Sequence, residues 1–291
     1  MNTPAADRGL GVASGAAAMV LVGNSVAVSG VLANAPLYTA EAARYAMAFA
    51  ILAGLAKLTG RPLRLPRGSD WLWLSGLAAS GLVLFNVALV EGARHAEPAV
   101  FGVAVASVPP LLAVAGPLLE GTRPRAPAVA GALVVTGGAV LVQGAGRADG
   151  IGLGLAAVVF ACEALFTLLA IPVLRKHGPW GVSGHTTWLA AVMFAVLGAV
   201  REGPGAVARL SAHDWHATCF LGVVVTTVAF VLWYSCVGRI GAGRACLLAG
   251  VAPVSAAISG VLLGHPVPRP LVWAGIAVVV AGLAIGLRGK G

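Results

Sequence analysis

Charge is what this chain of 291 residues has least of. Asp, Glu, Lys and Arg together make up 10% of it, against about a quarter of an ordinary soluble domain. Apolar residues make up 59%, which leaves too little polar surface to cover a water-soluble core. Cysteine is scarce as well. Cys162, Cys219, Cys236 and Cys246 stand within or at the ends of apolar runs, with no CxxC and no Cys/His spacing. This placement argues against a disulfide scaffold and a metal site, and these side chains read as small packing groups. No Walker sequence, HExxH, GxSxG or paired DxxD occurs, so neither ATP hydrolysis nor a catalytic cluster in the membrane is indicated, and no cofactor is expected. Strand alternation is absent too, which argues against a membrane barrel.

What is present is a series of long apolar runs. A bilayer-crossing helix needs about 20 mostly apolar residues. Ten runs approach that length: 9–31, 41–58, 71–91, 98–119, 126–143, 151–174, 183–200, 215–237, 243–263 and 269–287. Their Ala, Gly and Val content suits helices that approach closely on small faces. An Ala33-Asn34-Ala35 sequence after the first run has the form of a leader-cleavage site. Pro36 behind it, a single Arg beside Asp7 ahead of it, and the length of the run favour a retained span.

The chain also repeats itself. Shifted by 144 positions, 109–138 falls on 253–282 with twelve identical residues in thirty. Chance would give about one in eight in so biased a composition. The pairs Pro109/Pro253, Pro124/Pro268, Arg125/Arg269, Gly116/Gly260, Gly131/Gly275 and Gly138/Gly282 carry the most weight. Each half holds five runs, and five is odd, so the second half must enter the membrane in the opposite sense. The expected fold is an all-α membrane protein of ten transmembrane helices in two inverted five-helix repeats, residues 1–146 and 147–291. Inverted repeats are a common plan of secondary transporters.

Basic residues set the orientation. With the N-terminus inside, one side holds Arg8, Lys57, Arg61, Arg64, Arg67, Arg123, Arg125, Arg175, Lys176, Arg239, Arg244, Arg288 and Lys290, thirteen in all. The other holds Arg44, Arg94, Arg147, Arg201, Arg209 and Arg269, which are six. The positive-inside rule then places both termini in the cytoplasm of a multi-pass protein of the cell (inner) membrane. The net charge of +9 follows from that bias. Nucleic acid is not the expected partner, because the basic residues are dispersed and no basic run is interleaved with stacking aromatics.

The residues around the repeat resemble a known family. FNVAL at 85–89, the prolines at 109–110, LLEG at 118–121 and the glycine-rich run to Gly138 are similar to the second part of an EamA-type repeat of the drug/metabolite transporter superfamily. The stretch 232–264 resembles it more closely, Arg44-Tyr45 is similar to its Arg-aromatic pair, and 19–29 resembles its first span. The family's acid after the fourth span is kept as Glu120, but Gly264-His265 stands there in the second half. The resemblance implies a ten-helix carrier that exports amino acids, other small metabolites or drugs.

Of ten acids, nine lie in termini, loops or span ends, and Glu163 lies near the middle of the sixth span. A charge at that depth costs about 2.5–3.5 kcal/mol on insertion scales, so it should face the interior. It is the expected proton-coupling residue or the counter-charge of a substrate amine; the alternative is a neutral acid bonded to a neighbouring helix. Asn24, Asn86, Tyr234 and Trp233 complete the expected substrate site, with helix-to-helix bonding the alternative for Asn24 and an interfacial aromatic belt for Trp233. Arg44 is expected to snorkel or to pair with Glu41, and His185 to lie at the surface or to titrate with Glu163. Pro109 and Pro253 interrupt corresponding helices and are the expected hinges. The expected activity is secondary transport by alternating access, coupled to protons or passive, with a small-molecule substrate, the lipid bilayer as surroundings and a homodimer as an open assembly. A channel or a structural membrane protein is the alternative.

Overall fold

The computed structural model describes residues 5–29, 32, 35–60, 63–144, 146–262 and 268–288. Ala33, Asn34, Arg61, Gly264, His265, Lys290 and Gly291, which entered the sequence reading, lie outside the described residues. Apolar runs of this length satisfy their backbone groups internally as helices, the solution a bilayer demands of a spanning segment. The helices, in order, are α1 (Ala5–Ser29), α2 (Leu37–Leu58), α3 (Asp70–Gly92), α4 (Pro98–Leu119) and α5 (Ala126–Gln143). They continue as α6 (Gly150–Leu168), α7 (Ile171–Arg201), α8 (Ala212–Ile240), α9 (Ala242–Leu262) and α10 (Pro270–Arg288). Among the described residues, eight helices, α3 to α10, are long and apolar enough to cross a membrane. In α1 and α2 the charges Asp7, Arg8, Glu41, Arg44 and Lys57 dilute the apolar stretch.

Helix ends follow local chemistry. The Asp149 side chain accepts the Gly152 N–H at 2.8 Å at the start of α6, and Ser211 and Asp214 form a capping box on α8. The seventh run begins earlier than its sequence suggests. Residues 171–177 already wind into a helical turn, the chain corners at Gly178 (φ 64°, ψ 175°), and Pro179 starts the long segment. That left-handed φ suits glycine, and proline fits the first turn of the new helix.

Close approach is built on glycine. A Cβ added to Gly131 would stand 2.6 Å from Gly286 Cα and 2.8 Å from the Gly282 carbonyl oxygen. One added to Gly138 would stand 2.6 Å from Val279 N and 2.7 Å from the Gly275 oxygen. Thus α5 and α10 touch backbone to backbone, the contact that small residues permit in lipid. Under the 144-residue shift Gly131 maps to Gly275 and Gly138 to Gly282. Each member of the pair therefore meets the counterpart of the other. The most extensive helix contacts likewise join the two halves: α5 with α10, α2 with α7, and α1 with α8 and α9.

Two interruptions also recur. Residues Ala78–Leu84 of α3 and Leu221–Ala229 of α8 are π-helical, and the shift carries 78–84 onto 222–228. In α4 the helix breaks at Ser107 and Val108, immediately before Pro109. In α9 a 3-10 stretch, Cys246–Gly250, precedes Pro253 by three residues. Proline lacks the N–H that would continue the ladder, so both fourth-type helices are weakened beside it.

Glu120, without a counterpart acid, has a position of its own. It ends α4, and its Oε1 accepts the Ala242 N–H at 2.7 Å, capping the first turn of α9. Burial raises the Glu120 carboxyl above the usual carboxylate range, opposed by the Ala242 N–H and the charge of Arg175.

Candidate functional site

Glu163 sits on α6 between two buried neighbours, Cys162 and Ala164, and is itself half-buried. One turn further, Phe166 presents its ring to Phe230 (centroids 5.0 Å apart) and to Tyr234 (5.3 Å), both on α8. The Tyr234 hydroxyl donates to the Phe166 carbonyl at 3.2 Å, and its ring is fully buried within electrostatic reach of Glu163 and Tyr45. Tyr45 enters from α2, stacked on Phe194 of α7 at 5.6 Å and 4°. Asn86 of α3 donates to the Leu82 carbonyl at 2.7 Å and points the same amide nitrogen at the Tyr45 hydroxyl, 3.5 Å away. Its bond to Leu82 reaches back into the π-helical stretch.

Glu163, Tyr234, Tyr45 and Asn86 are thus brought together from both halves of the sequence. Among the described residues, no donor bonds the Glu163 carboxylate and no Lys, Arg or His pairs with it. The other acids in the bundle are matched. Glu41 meets Arg44 at 3.1 Å, and Asp70 meets Lys176 at 2.7 Å and His177 at 3.2 Å. Arg44 also donates through Nε to Thr226 Oγ1 at 2.7 Å, tying α2 to the π-helical part of α8. The pairing of Arg44 with Glu41 agrees with the sequence expectation.

Other expected site residues stand elsewhere. Asn24 is exposed, and its amide oxygen accepts from the Ser255 hydroxyl at 2.7 Å and from Ser259. It therefore bridges α1 to α9, as an interhelical amide does. Trp233 is not in an interfacial belt: it is 5% exposed, inside the core around α8, with its indole N–H donated to Thr167 at 3.2 Å. His185 is not at the surface either, being 4% exposed. Its Nε2 lies 2.8 Å from the Arg64 carbonyl and its Nδ1 3.3 Å from the Trp188 indole nitrogen. Cys162, Cys236 and Cys246 are buried packing residues, and Cys219 is exposed.

Tyr45, Phe166 and Phe230 escaped sequence reasoning as site members. Tyr45 appeared there only beside Arg44. Its signal was position: a phenol in the apolar interior of a span needs a hydrogen-bond partner.

A multi-helix bundle of apolar spans with a polar point beside aromatic rings inside it is an architecture that membrane transporters share, and the family the chain matches is one of them. The pattern of the EamA-like transporter family matches residues 9–143 and 150–288. The chain belongs to that family. It is 26% identical over 279 residues to the uncharacterized transporter YetK of Bacillus subtilis (strain 168), covering 93% of this chain and 84% of the relative. It is 27% identical over 228 residues, 77% of this chain and 75% of the other, to a protein of Streptantibioticus cattleyicolor named as a probable terminal-alkyne amino-acid exporter. A crystal structure of a further protein has the same fold, with a TM-score of 0.80 at 21% identity over 95% of this chain and 96% of the other.

Proposed function

We propose that this membrane transporter is a secondary carrier that exports small amine-bearing metabolites, amino acids or their relatives, by alternating access. The observation that carries the reading is the Glu163 carboxylate, placed in mid-helix one turn from the Phe166–Phe230–Tyr234 ring cluster, with no cationic partner among the described residues. A half-buried carboxylate left alone in mid-span is costly, and a proton or a substrate ammonium removes that cost. The adjoining Phe166, Phe230 and Tyr234 rings suit a cation as well as an apolar side chain. The name of the Streptantibioticus relative supports an amino-acid-like substrate. Saturable flux driven by an imposed pH gradient in proteoliposomes tests the reading; non-saturating conductance would make the protein a channel.

The architecture proposed for this activity is ten transmembrane helices in two inverted repeats, 1–146 and 147–291, with both termini cytoplasmic. The reciprocal glycine contacts of α5 and α10, and the π-helical stretches 144 residues apart, support a pseudo-two-fold relation. Single cysteines introduced at Gly291 and at Asp149 are expected to label from opposite sides of a sealed membrane. Labelling of both from one side would contradict the proposed topology.

Pro109 and Pro253 are proposed as the pivots of the rocking motion, because the breaks in α4 and α9 lie beside them. The Pro109→Ala, Pro253→Ala double variant is expected to slow turnover several-fold while substrate affinity changes less. Turnover at the normal rate would leave the prolines as static kinks and move the pivot, with the π-helical stretches the next place to look.

A further inference from the structure

A concavity is lined by none of the residues gathered around Glu163. Its volume is about 590 Å³, within the range of small-molecule sites, and it is walled by α2, α7 and the segment that leads into α3. Ala46 and Phe49 form one wall, Trp188 and Val192 the other, with Leu63 and Leu65 at one end. Ala46 and Val192 are exposed, so the groove opens sideways from the bundle. The one ionisable side chain in its wall is His185, and both its ring nitrogens are taken, by the Arg64 carbonyl and the Trp188 indole. Apart from the exposed Trp71 indole, the rest of the wall is aliphatic and aromatic carbon, and what fits it is a hydrocarbon.

The end of the groove is different. Arg64 stands in sequence between the lining residues Leu63 and Leu65, and the His185 bond fixes its backbone there. Its side chain is exposed, as are those of Arg67 and Lys57 at the same end of the bundle. Among the described residues no acid forms an ion pair with any of the three. An apolar lateral groove with exposed basic residues on the segment beside its lining, none in an ion pair with an acid among the described residues, is complementary to an anion carrying a hydrocarbon chain, and a bilayer supplies that as lipid.

We infer that this groove binds one anionic phospholipid, with an acyl chain along Phe49 and Trp188 and its phosphate at Arg64. The leaflet, the inner one, rests on the topology proposed above, whereas the binding itself does not. If the cysteine labelling reversed the topology, the lipid would change leaflet and the measurement below would be unaffected.

The test uses the full-length protein in nanodiscs that mix phosphatidylglycerol and phosphatidylcholine, with retained lipid measured by native mass spectrometry. The wild type is expected to retain phosphatidylglycerol preferentially. Arg64→Gln should cut that preference roughly fivefold, the weight of one basic residue at a membrane surface. Ala46→Trp, which fills an exposed position of the groove, should reduce retention of both lipids. An Arg64→Gln protein with the wild-type preference would overturn the inference. So would an Ala46→Trp protein that retains lipid normally but loses transport, which would make the groove a substrate vestibule, or one that loses only self-association, which would make it a contact between two copies.

Discussion

Glu163→Gln is expected to insert and fold normally, to lose the pH dependence of transport, and to bind amine-bearing substrates roughly ten- to a hundredfold more weakly. The magnitude is that of one charge-assisted hydrogen bond, about 1.5–3 kcal/mol. The amide has nearly the same shape and carries no charge to hold in the membrane, so insertion should not suffer. No cation is stranded by the change, because none pairs with Glu163 among the described residues; the neighbouring Tyr234 hydroxyl keeps its bond to the Phe166 carbonyl. Transport measured at several pH values in proteoliposomes, with protein content normalised, checks the result. A variant with unchanged affinity and an unchanged pH profile would reduce Glu163 to a packing residue.

The second large effect is structural. Gly138→Ala is expected to destabilise the bundle by about 1–3 kcal/mol or more, since the added methyl meets backbone rather than a movable side chain. Its Cβ would lie 2.6 Å from Val279 N and 2.7 Å from the Gly275 oxygen, so α5 and α10 must part. The adjacent Gly137 supplies the control, because a Cβ there meets nothing within 4 Å. Gly137→Ala should leave the midpoint of thermal unfolding in detergent unchanged or higher, as alanine favours helix over glycine. Equal losses in the two variants would show that helix flexibility, rather than the α5–α10 contact, is what these glycines supply.

The sequence made some of this visible and hid the rest for definable reasons. Apolar runs located most helices within a few residues, because in lipid the requirement on a spanning segment is length and composition. The sixth and seventh runs misled where they meet: 171–174 reads as the end of the sixth span and 175–182 as a loop, yet 171–177 forms a helical turn of its own before Gly178. Glu163 was legible because an acid at that depth is rare. The residues gathered near it were not, since which side chains face one another depends on helix rotation, and runs apolar on every side carry no face. The same limit hid Trp233 inside the core and His185 beneath the Arg64 carbonyl. Glu120 showed in the sequence only as an acid without a counterpart; the Ala242 N–H it accepts becomes visible once α4 and α9 meet. The paired π-helical stretches have no composition signal, although the 144-residue offset that relates them does.

Chemical labelling of the carboxylate tests the central claim most directly. A hydrophobic carbodiimide reacts with protonated carboxyl groups inside the bilayer, and peptide mass spectrometry reads which acid has been modified. Glu163 is expected to be the preferred site, with its modification abolishing transport and an excess of a transported amino acid protecting it. Glu41 and Asp70, held in ion pairs with Arg44 and Lys176, should react far less. An unmodified Glu163, or a fully modified one in a protein that still transports at the normal rate, would contradict the account.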